Sequence, residues 1–289
     1  MKVKEITQDD YEYPKKLLQI KDKPKKLYVL GNIDLLNKTS IAIVGSRDCT
    51  EYGYKQAIRF AKELSQKNIC IVSGMAKGID SAAHIGAKMN LGGTIAVLGG
   101  GFNDIFPKEN ESLFQEILED EGCIISEYAP NIMHESIYFP RRNRIVAGLS
   151  DALLVVEAKY RSGTGITAKY AVKQKKTVYC IPSSLESKNA YGTSRLIQNG
   201  AKLVTSSNDI LKDLGISMLK KAKETKKHVT IDKKYKEVYE KISHIPISIN
   251  ELQKITNKNI VEINSAITML ELQGDIKQVG MNEYIRNEE

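Results

Sequence analysis

Ile41-Ala-Ile-Val-Gly-Ser-Arg47 and Ile71-Val-Ser-Gly-Met-Ala-Lys77-Gly78 are short apolar, β-rich runs, each opening into a glycine-containing loop that carries a cation. The pattern recurs twice. Ala96-Val-Leu-Gly-Gly-Gly101 runs on to Phe106-Pro-Lys108, and Cys123-Ile-Ile-Ser126 leads to Phe139-Pro-Arg-Arg-Asn-Arg144. Such runs predict strands near 41–44, 69–72, 94–98, 123–126, 152–156, 177–181 and 202–204, with helical periods between them. Ala57, Phe60, Ala61 and Leu64, for example, share one helical face. Continuous apolar strands alternating with helices predict an α/β fold with a Rossmann-like, doubly wound parallel sheet. The carboxyl ends of parallel strands lie along one edge, so the four loops are expected to converge there and face an anion. Four cationic loops suit a ligand with several phosphates, and a nucleic-acid strand fits better than a mononucleotide.

A chain of 289 residues with 42% hydrophobic content has the size of about two domains and enough apolar side chain for a sizeable core. The start has no apolar core segment, and no later apolar run approaches the length that spans a bilayer, so a cytoplasmic location is expected. Cys49, Cys70, Cys123 and Cys180 are far apart and form no C-x-x-C pair; they read as free thiols, three of them inside strand patterns. Four scattered histidines give no metal site.

The net charge of +8 is uneven along the chain. Residues 212–236 carry nine basic and three acidic groups, whereas residues 237–289 carry five and nine. The stretch Lys220-Lys-Ala-Lys-Glu-Thr-Lys-Lys227 reads as a solvated linker. The expected organisation is a short lead over 1–38, a core over 39–215, a lysine-rich linker over 216–232 and a small domain over 233–289. In the last, helices over 233–243, 249–256 and 259–272 and a strand pair around Gly280 follow the order of a winged helix. Duplex readers of that type need a basic third helix, and here Lys258 stands among Glu262 and Glu271.

Two enzymatic readings are weak. Val44-Gly45 begins like a dinucleotide fingerprint, but the rest of G-x-G-x-x-G is missing and the second strand ends in Ser73-Gly74 rather than an acid. Arg161-Ser-Gly-Thr-Gly-Ile-Thr-Ala168 is similar to the glycine-threonine loop of nucleotide phosphoribohydrolases. Those enzymes place a glutamate just beyond it, where this chain has Ala168 and Lys169. Nucleotide sensing or hydrolysis in the strand-end cleft is the alternative to strand binding.

The motifs in order resemble the bacterial DNA-processing protein A (DprA/Smf) family. They are Tyr13-Pro14, Pro24 to Gly31, Gly45-Ser-Arg47, Ser73 to Asp80, Gly99 to Asn110, Ser126-Glu-Tyr128, Phe139 to Ser150, Val155-Val-Glu-Ala158, Arg161 to Ala168 and Gly192 to Ala201. Together they span about two thirds of the chain. The resemblance implies a non-enzymatic, single-stranded DNA-binding homodimer that passes incoming DNA to the RecA recombinase in natural transformation, with no cofactor. It implies phosphate contacts from Arg47, Lys77, Lys108 and Arg141 or Arg142, and a DNA-contacting set that also includes Gly45, Ser46, Ser73, Gly74, Gly78, Phe139 and Asn143. Ser183-Ser184 and Ser194 depart from the family's usual residues, and only about 38 residues precede the first expected strand, where many members have a helical domain. Of the aromatic residues beside the cationic loops, Phe139 is expected to stack on a base, and Phe102, Phe106 and Tyr138 to sit in the core. Asp80 is expected to cap or orient its helix.

Overall fold

The computed structural model describes residues 2–160, 162–216, 232–280 and 282–287. The lysine-rich linker expected over 216–232 therefore lies, apart from its two end residues, outside the described residues. The chain divides into two compact units, 1–217 and 218–289.

The first unit runs β1 (Lys4–Thr7), α1 (Lys15–Leu18), β2 (Lys26–Gly31), β3 (Ser40–Val44), α2 (Glu51–Ser65), β4 (Cys70–Ser73), α3 (Ile79–Ala87), β5 (Thr94–Leu98), α4 (Glu111–Glu119), β6 (Cys123–Ser126), α5 (Tyr138–Leu149), β7 (Ala152–Val155), α6 (Gly163–Lys173), β8 (Thr177–Cys180), α7 (Ala190–Gln198), β9 (Lys202–Leu203) and α8 (Ser207–Asp213). Its strands form one nine-stranded sheet in the order β1-β2-β6-β5-β4-β3-β7-β8-β9. All seven expected strands are present, mutually parallel from β6 to β9. The chain winds outward from β3 through β4 and β5 to β6, then returns to β7 on the other side of β3 and winds the opposite way. The gap above β3 and β7 is the point where the strand order reverses, the place where open α/β sheets bind ligands.

The lead is not strandless. β2 pairs antiparallel with β6, and β1 pairs antiparallel with β2, so residues 4–31 extend the core sheet. Leu27, Val29 and Ile6 are buried in the same apolar cluster as Val97 and Ile125.

Alternation along the strands fills both faces of the sheet. Ile41 and Ile43 pack with Phe60, Ala61 and Leu64 on one side, and Ala42 and Val44 with Ile145 and Leu149 on the other. Helix α2 buries the four predicted residues of its apolar face completely. Its N-terminus is closed by Thr50, whose hydroxyl accepts from Gly53 N, and by Glu157, which accepts from Thr50 N and Oγ1. The thiols of Cys70, Cys123 and Cys180 are buried; burial pushes those of Cys70 and Cys180 up to about 12.

The second unit contains α9 (Lys233–Lys241), β10 (Ile247–Ser248), α10 (Ile249–Thr256), α11 (Ile260–Leu272), β11 (Ile276–Gly280) and β12 (Glu283–Arg286), with its sheet ordered β10-β12-β11. This is the winged-helix order. Val238, Leu252, Ile263, Ile267 and Leu270 form its core. Capping boxes start α10 (Ser248 with Glu251) and α11 (Asn259 with Glu262). Helix α11, the third, holds no lysine or arginine, and the nearby Lys258 is paired with Glu237 at 3.0 Å.

Candidate functional site

The loops after β3 and β4 lock into each other. Ile79 N donates to Ser46 O (3.3 Å), and Ser46 N to Glu157 O (2.9 Å). Gly78 sits at φ +77°, where a Cβ would stand 2.5 Å from Ser46 O, and a Cβ on Gly45 would stand 2.5 Å from the Ile79 side chain. Glycine is required at both positions for the two loops to touch. Between them Met75 also holds a left-handed backbone (φ 62°), and its carbonyl accepts from Asn110 Nδ2 at 2.7 Å.

Above this joint lies an open cleft of about 580 Å³, lined by Gly45, Ser46, Arg47 and Asp48 from the first loop and by Gly74, Ala76 and Asp80 from the second. Phe139, Arg142, Asn143 and Val146 of α5 form another wall, and Lys159, Ser162, Gly163, Thr164 and Thr167 close it beyond β7. A smaller crevice beside it is lined by Lys77, Phe106 and Pro107 as well as Arg47, Phe139 and Arg142.

Two electrostatic arrangements shape the cleft. Arg142 is buried, and its guanidinium donates to the carbonyls of Gly74 and Val97. Burial pulls its pKa down to about 10, with Asp80 opposing the shift and Arg47 adding to it. Asp80 Oδ2 accepts from Gly74 N (3.2 Å) and Ala76 N (3.4 Å); burial raises its pKa, and Arg142 and the two N–H groups oppose the rise. Asp80 thus ties the loop to α3 from the second residue of that helix, whose N-cap is Gly78. Arg47, in contrast, is exposed, and its guanidinium carbon lies 5.6 Å from the centre of the Phe139 ring. Phe139 continues an aromatic group with Phe106 (5.4 Å between centres) and His134 (6.0 Å), and Phe106 stacks on His134 at 4.3 Å. A Cβ on Gly99 would stand 2.7 Å from the Phe139 ring, so this glycine leaves room for it.

The expected residues are therefore divided. Gly45, Ser46, Arg47, Gly74, Phe139, Arg142 and Asn143 line the cleft, and Lys77 lines the crevice beside it, held by Glu109 at 2.5 Å. Gly78 shapes the joint beneath. Ser73 is buried in the sheet, its hydroxyl donating to Ile43 O. Lys108 is exposed but lines neither hollow.

The stretch 139–144, expected as a loop, forms the first turns of α5. Pro140 is tolerated there because first-turn N–H groups have no intrahelical partner. Helical phase then separates neighbours: Arg142 faces the cleft, and Arg141 lines a different hollow, 3.9 Å from Glu127.

Phe106, expected in the core, is 41% exposed, whereas Phe102 is buried and Tyr138 stacks on Tyr128. Lys159, Thr164 and Thr167 were not expected at the site. Lys159 carried the signal, because it follows β7 as Arg47 follows β3, and it meets Asp48 at 2.6 Å. Among the described residues no cluster of three or more His, Cys, Asp or Glu could hold a metal, and no helix is long and apolar enough to cross a membrane.

Residues 4–215 match the protein family described as DNA recombination-mediator protein A. The chain is 44% identical over 199 residues to DNA processing protein DprA of Streptococcus pneumoniae, covering 69% of this chain and 70% of that one. It is 41% identical over 226 residues to protein Smf of a Synechocystis species, covering 76% of this chain and only 56% of the relative. Among solved structures, the S. pneumoniae DprA superposes with a TM-score of 0.70 at 42% identity over 74% of this chain and 75% of that one. DNA processing protein A of Helicobacter pylori, described for its single-stranded DNA binding mode, gives 0.67 at 31% identity over 74% and 96%.

Proposed function

The chain belongs to the DNA recombination-mediator protein A family, and on that footing we propose that its cleft binds the sugar-phosphate backbone of single-stranded DNA without performing chemistry on it. The observation that carries this reading is the pairing of Arg47 with Phe139 at the mouth of a cleft on the switch point, an exposed cation over a ring that a base can cover. Cation plus aromatic platform is the combination that single-strand binders use. The glycines of the first two loops bring backbone close to the ligand, and Arg142 raises the potential of the floor.

The acidic groups beside the cleft are engaged in holding loops. Asp80 is tied to Gly74 and Ala76, Glu157 to Thr50 and Asn189, and Asp48 to Lys159. None has an arrangement suited to a general acid or base, which favours binding over hydrolysis of a nucleotide.

In this reading the protein works in the cytoplasm, covers an incoming single strand and hands it to the RecA recombinase during transformation or recombination. It does so as a homodimer, two-fold pairing being the commonest closed assembly. An open cleft leaves the strand accessible on one side, as a transfer to a recombinase requires.

The test is Arg47→Ala, measured by fluorescence anisotropy with oligothymidylate, duplex and mononucleotide over a range of salt. Wild type should prefer the single strand. The variant should weaken all sequences about equally and flatten the dependence of log affinity on log salt by roughly 0.7. Unchanged affinity and slope would remove Arg47 from the site. Saturation by a mononucleotide, or release of a free base, would move the cleft to nucleotide sensing or hydrolysis.

A further inference from the structure

On the far side of α5 from the cleft lies a second hollow of about 540 Å³. Lys23 and Lys25, from the segment leading into β2, Lys26 at the start of that strand, and Arg141 and Arg144, from α5, give it five cations against Asp22 and Glu127. Its members are not neutralised pair by pair. Arg144, almost wholly buried, takes Glu127 Oε1 at 2.7 Å, while Arg141, mostly exposed, lies 3.9 Å from Oε2 of the same carboxylate. Lys26 reaches Glu5 at 3.2 Å and lies over the Tyr28 ring, and among the described residues Lys23 reaches only the carbonyl of Leu18, at 3.1 Å. Lys25 is exposed and makes no hydrogen bond or ion pair among the described residues. One carboxylate thus serves two arginines, and a rim of lysines is left facing solvent.

We propose that this hollow is a second phosphate-binding surface, occupied by the backbone of the same single strand after it leaves the cleft and crosses the first turn of α5. The proposal rests on the cleft reading above.

The geometry of α5 joins the two surfaces. Phe139, Arg142, Asn143 and Val146 line one face of the helix, and Arg141 and Arg144, three residues apart, line the other. A helix is about 10–12 Å across with its side chains, which a few nucleotides of extended strand can bridge. Pro140, at the wall of the cleft, and Arg141, at the wall of the hollow, are adjacent and both exposed. The ligand class follows from the chemistry: an open hollow with five cations against two acidic groups suits diffuse charge along a backbone rather than one coordinated ion.

The experiment is anisotropy with oligothymidylates of about six and about twenty nucleotides, lengths within and beyond a typical single site. The full chain is compared with K23E/K25E, whose side chains are exposed, and with Arg141→Ala as a second route to the same surface. The double variant should bind the long strand several-fold more weakly, with a salt slope flatter by roughly 0.7 for each phosphate left without its cation. The short strand should be bound as before. Arg141→Ala should act in the same direction with a smaller effect.

Long-strand affinity and slope unchanged in both variants would overturn the proposal. So would equal weakening on both lengths, which would mean a general field rather than a path. Failure of the cleft reading is read separately: if Arg47→Ala leaves both lengths unaffected while K23E/K25E weakens the long one, the cleft is misplaced and the hollow stands.

Discussion

Asp80 and Arg142 flank the backbone of Gly74 so tightly that a Cβ there would stand 2.6 Å from Asp80 Oδ2 and 2.6 Å from an Arg142 nitrogen. Neither side chain is free to retreat, since Arg142 is fastened to the carbonyls of Gly74 and Val97 and Asp80 to the N–H groups of Gly74 and Ala76. The loop after β4 is thereby fixed on both sides by a buried pair of opposite charges. Such a pair is costly to break by removing one member, because the other is left buried alone.

Gly74→Ala should therefore lower stability by about 1–3 kcal/mol, the usual cost of forcing a methyl into a packed site. It should also weaken single-strand binding, because the collision displaces the floor of the cleft. Urea unfolding and anisotropy on the same preparation check both. A variant of wild-type stability would mean that the pair is softer than its bonds imply.

A second prediction concerns acid. His84 is fully buried on α3, with Nδ1 2.7 Å from Thr94 Oγ1 and, among the described residues, no hydrogen-bond partner for Nε2. The Thr94 hydroxyl gives its proton to Ile71 O at 2.9 Å, so His84 Nδ1 is the donor and Nε2 the bare acceptor of a neutral ring. Burial, helped by Arg142, pulls its pKa from 6.5 down to about 3. Between these values the unfolded chain binds a proton that the folded one refuses. This residue's contribution is thus complete above 6.5 and declines as pH falls toward about 3, with a slope of up to about 1.4 kcal/mol per pH unit. In urea unfolding at about pH 7 and about pH 5, His84→Gln should lose less stability on acidification than wild type. Parallel losses would show that the ring is protonated in the folded protein.

These two sites mark what the sequence could and could not disclose. The strands from β3 to β8 were legible because each is a short, largely apolar run, as a strand buried on both faces must be, whereas β9 is an exposed Lys-Leu pair at the edge. β2 offered a similar run at Leu27–Leu30, but it follows a lysine-rich segment and pairs antiparallel with β6, outside the alternating β-α rhythm that revealed the others. The cations at strand ends were legible for the same reason as the strands. What one dimension withheld was phase: Arg141 and Arg142 are adjacent in sequence, and only the helical start at Tyr138, with Pro140 in its first turn, sends them to opposite sides. The clamp around Gly74 joins Ser73–Asp80 to a residue some seventy positions away, and no local pattern encodes that.

The charge of the second unit yields a third prediction. Residues 237–289 carry nine acidic against five basic groups, and α11 offers no cation to a groove. A chain ending near Leu214 keeps every residue of the cleft and of the second hollow, and should retain most single-strand affinity at moderate salt. Loss of binding by a truncated chain that remains folded by circular dichroism would place the site in the wrong unit.

The last prediction separates stacking from charge at the cleft mouth. Phe139 lies under Arg47 and beside Phe106, which is itself braced by His134, and His134 Nδ1 is held by Asp104 at 2.6 Å. The hydrogen bonds from His134 keep the Asp104 carboxyl below its ordinary range. The aromatic group is thus anchored at its outer end and open toward the cleft. Phe139→Leu keeps the apolar bulk against Gly99 and removes the π-face, so it should weaken single-strand binding by about 1–3 kcal/mol, the cost of removing one base-aromatic stack. Because every phosphate keeps its cation, the salt slope should stay as in wild type, in contrast to Arg47→Ala. An oligonucleotide abasic at every position should bind wild type and Phe139→Leu alike, since neither then has a base to stack. A slope that flattens in Phe139→Leu would show that the ring acts by positioning Arg47, and an unchanged affinity for ordinary strands would leave Phe106 as the platform.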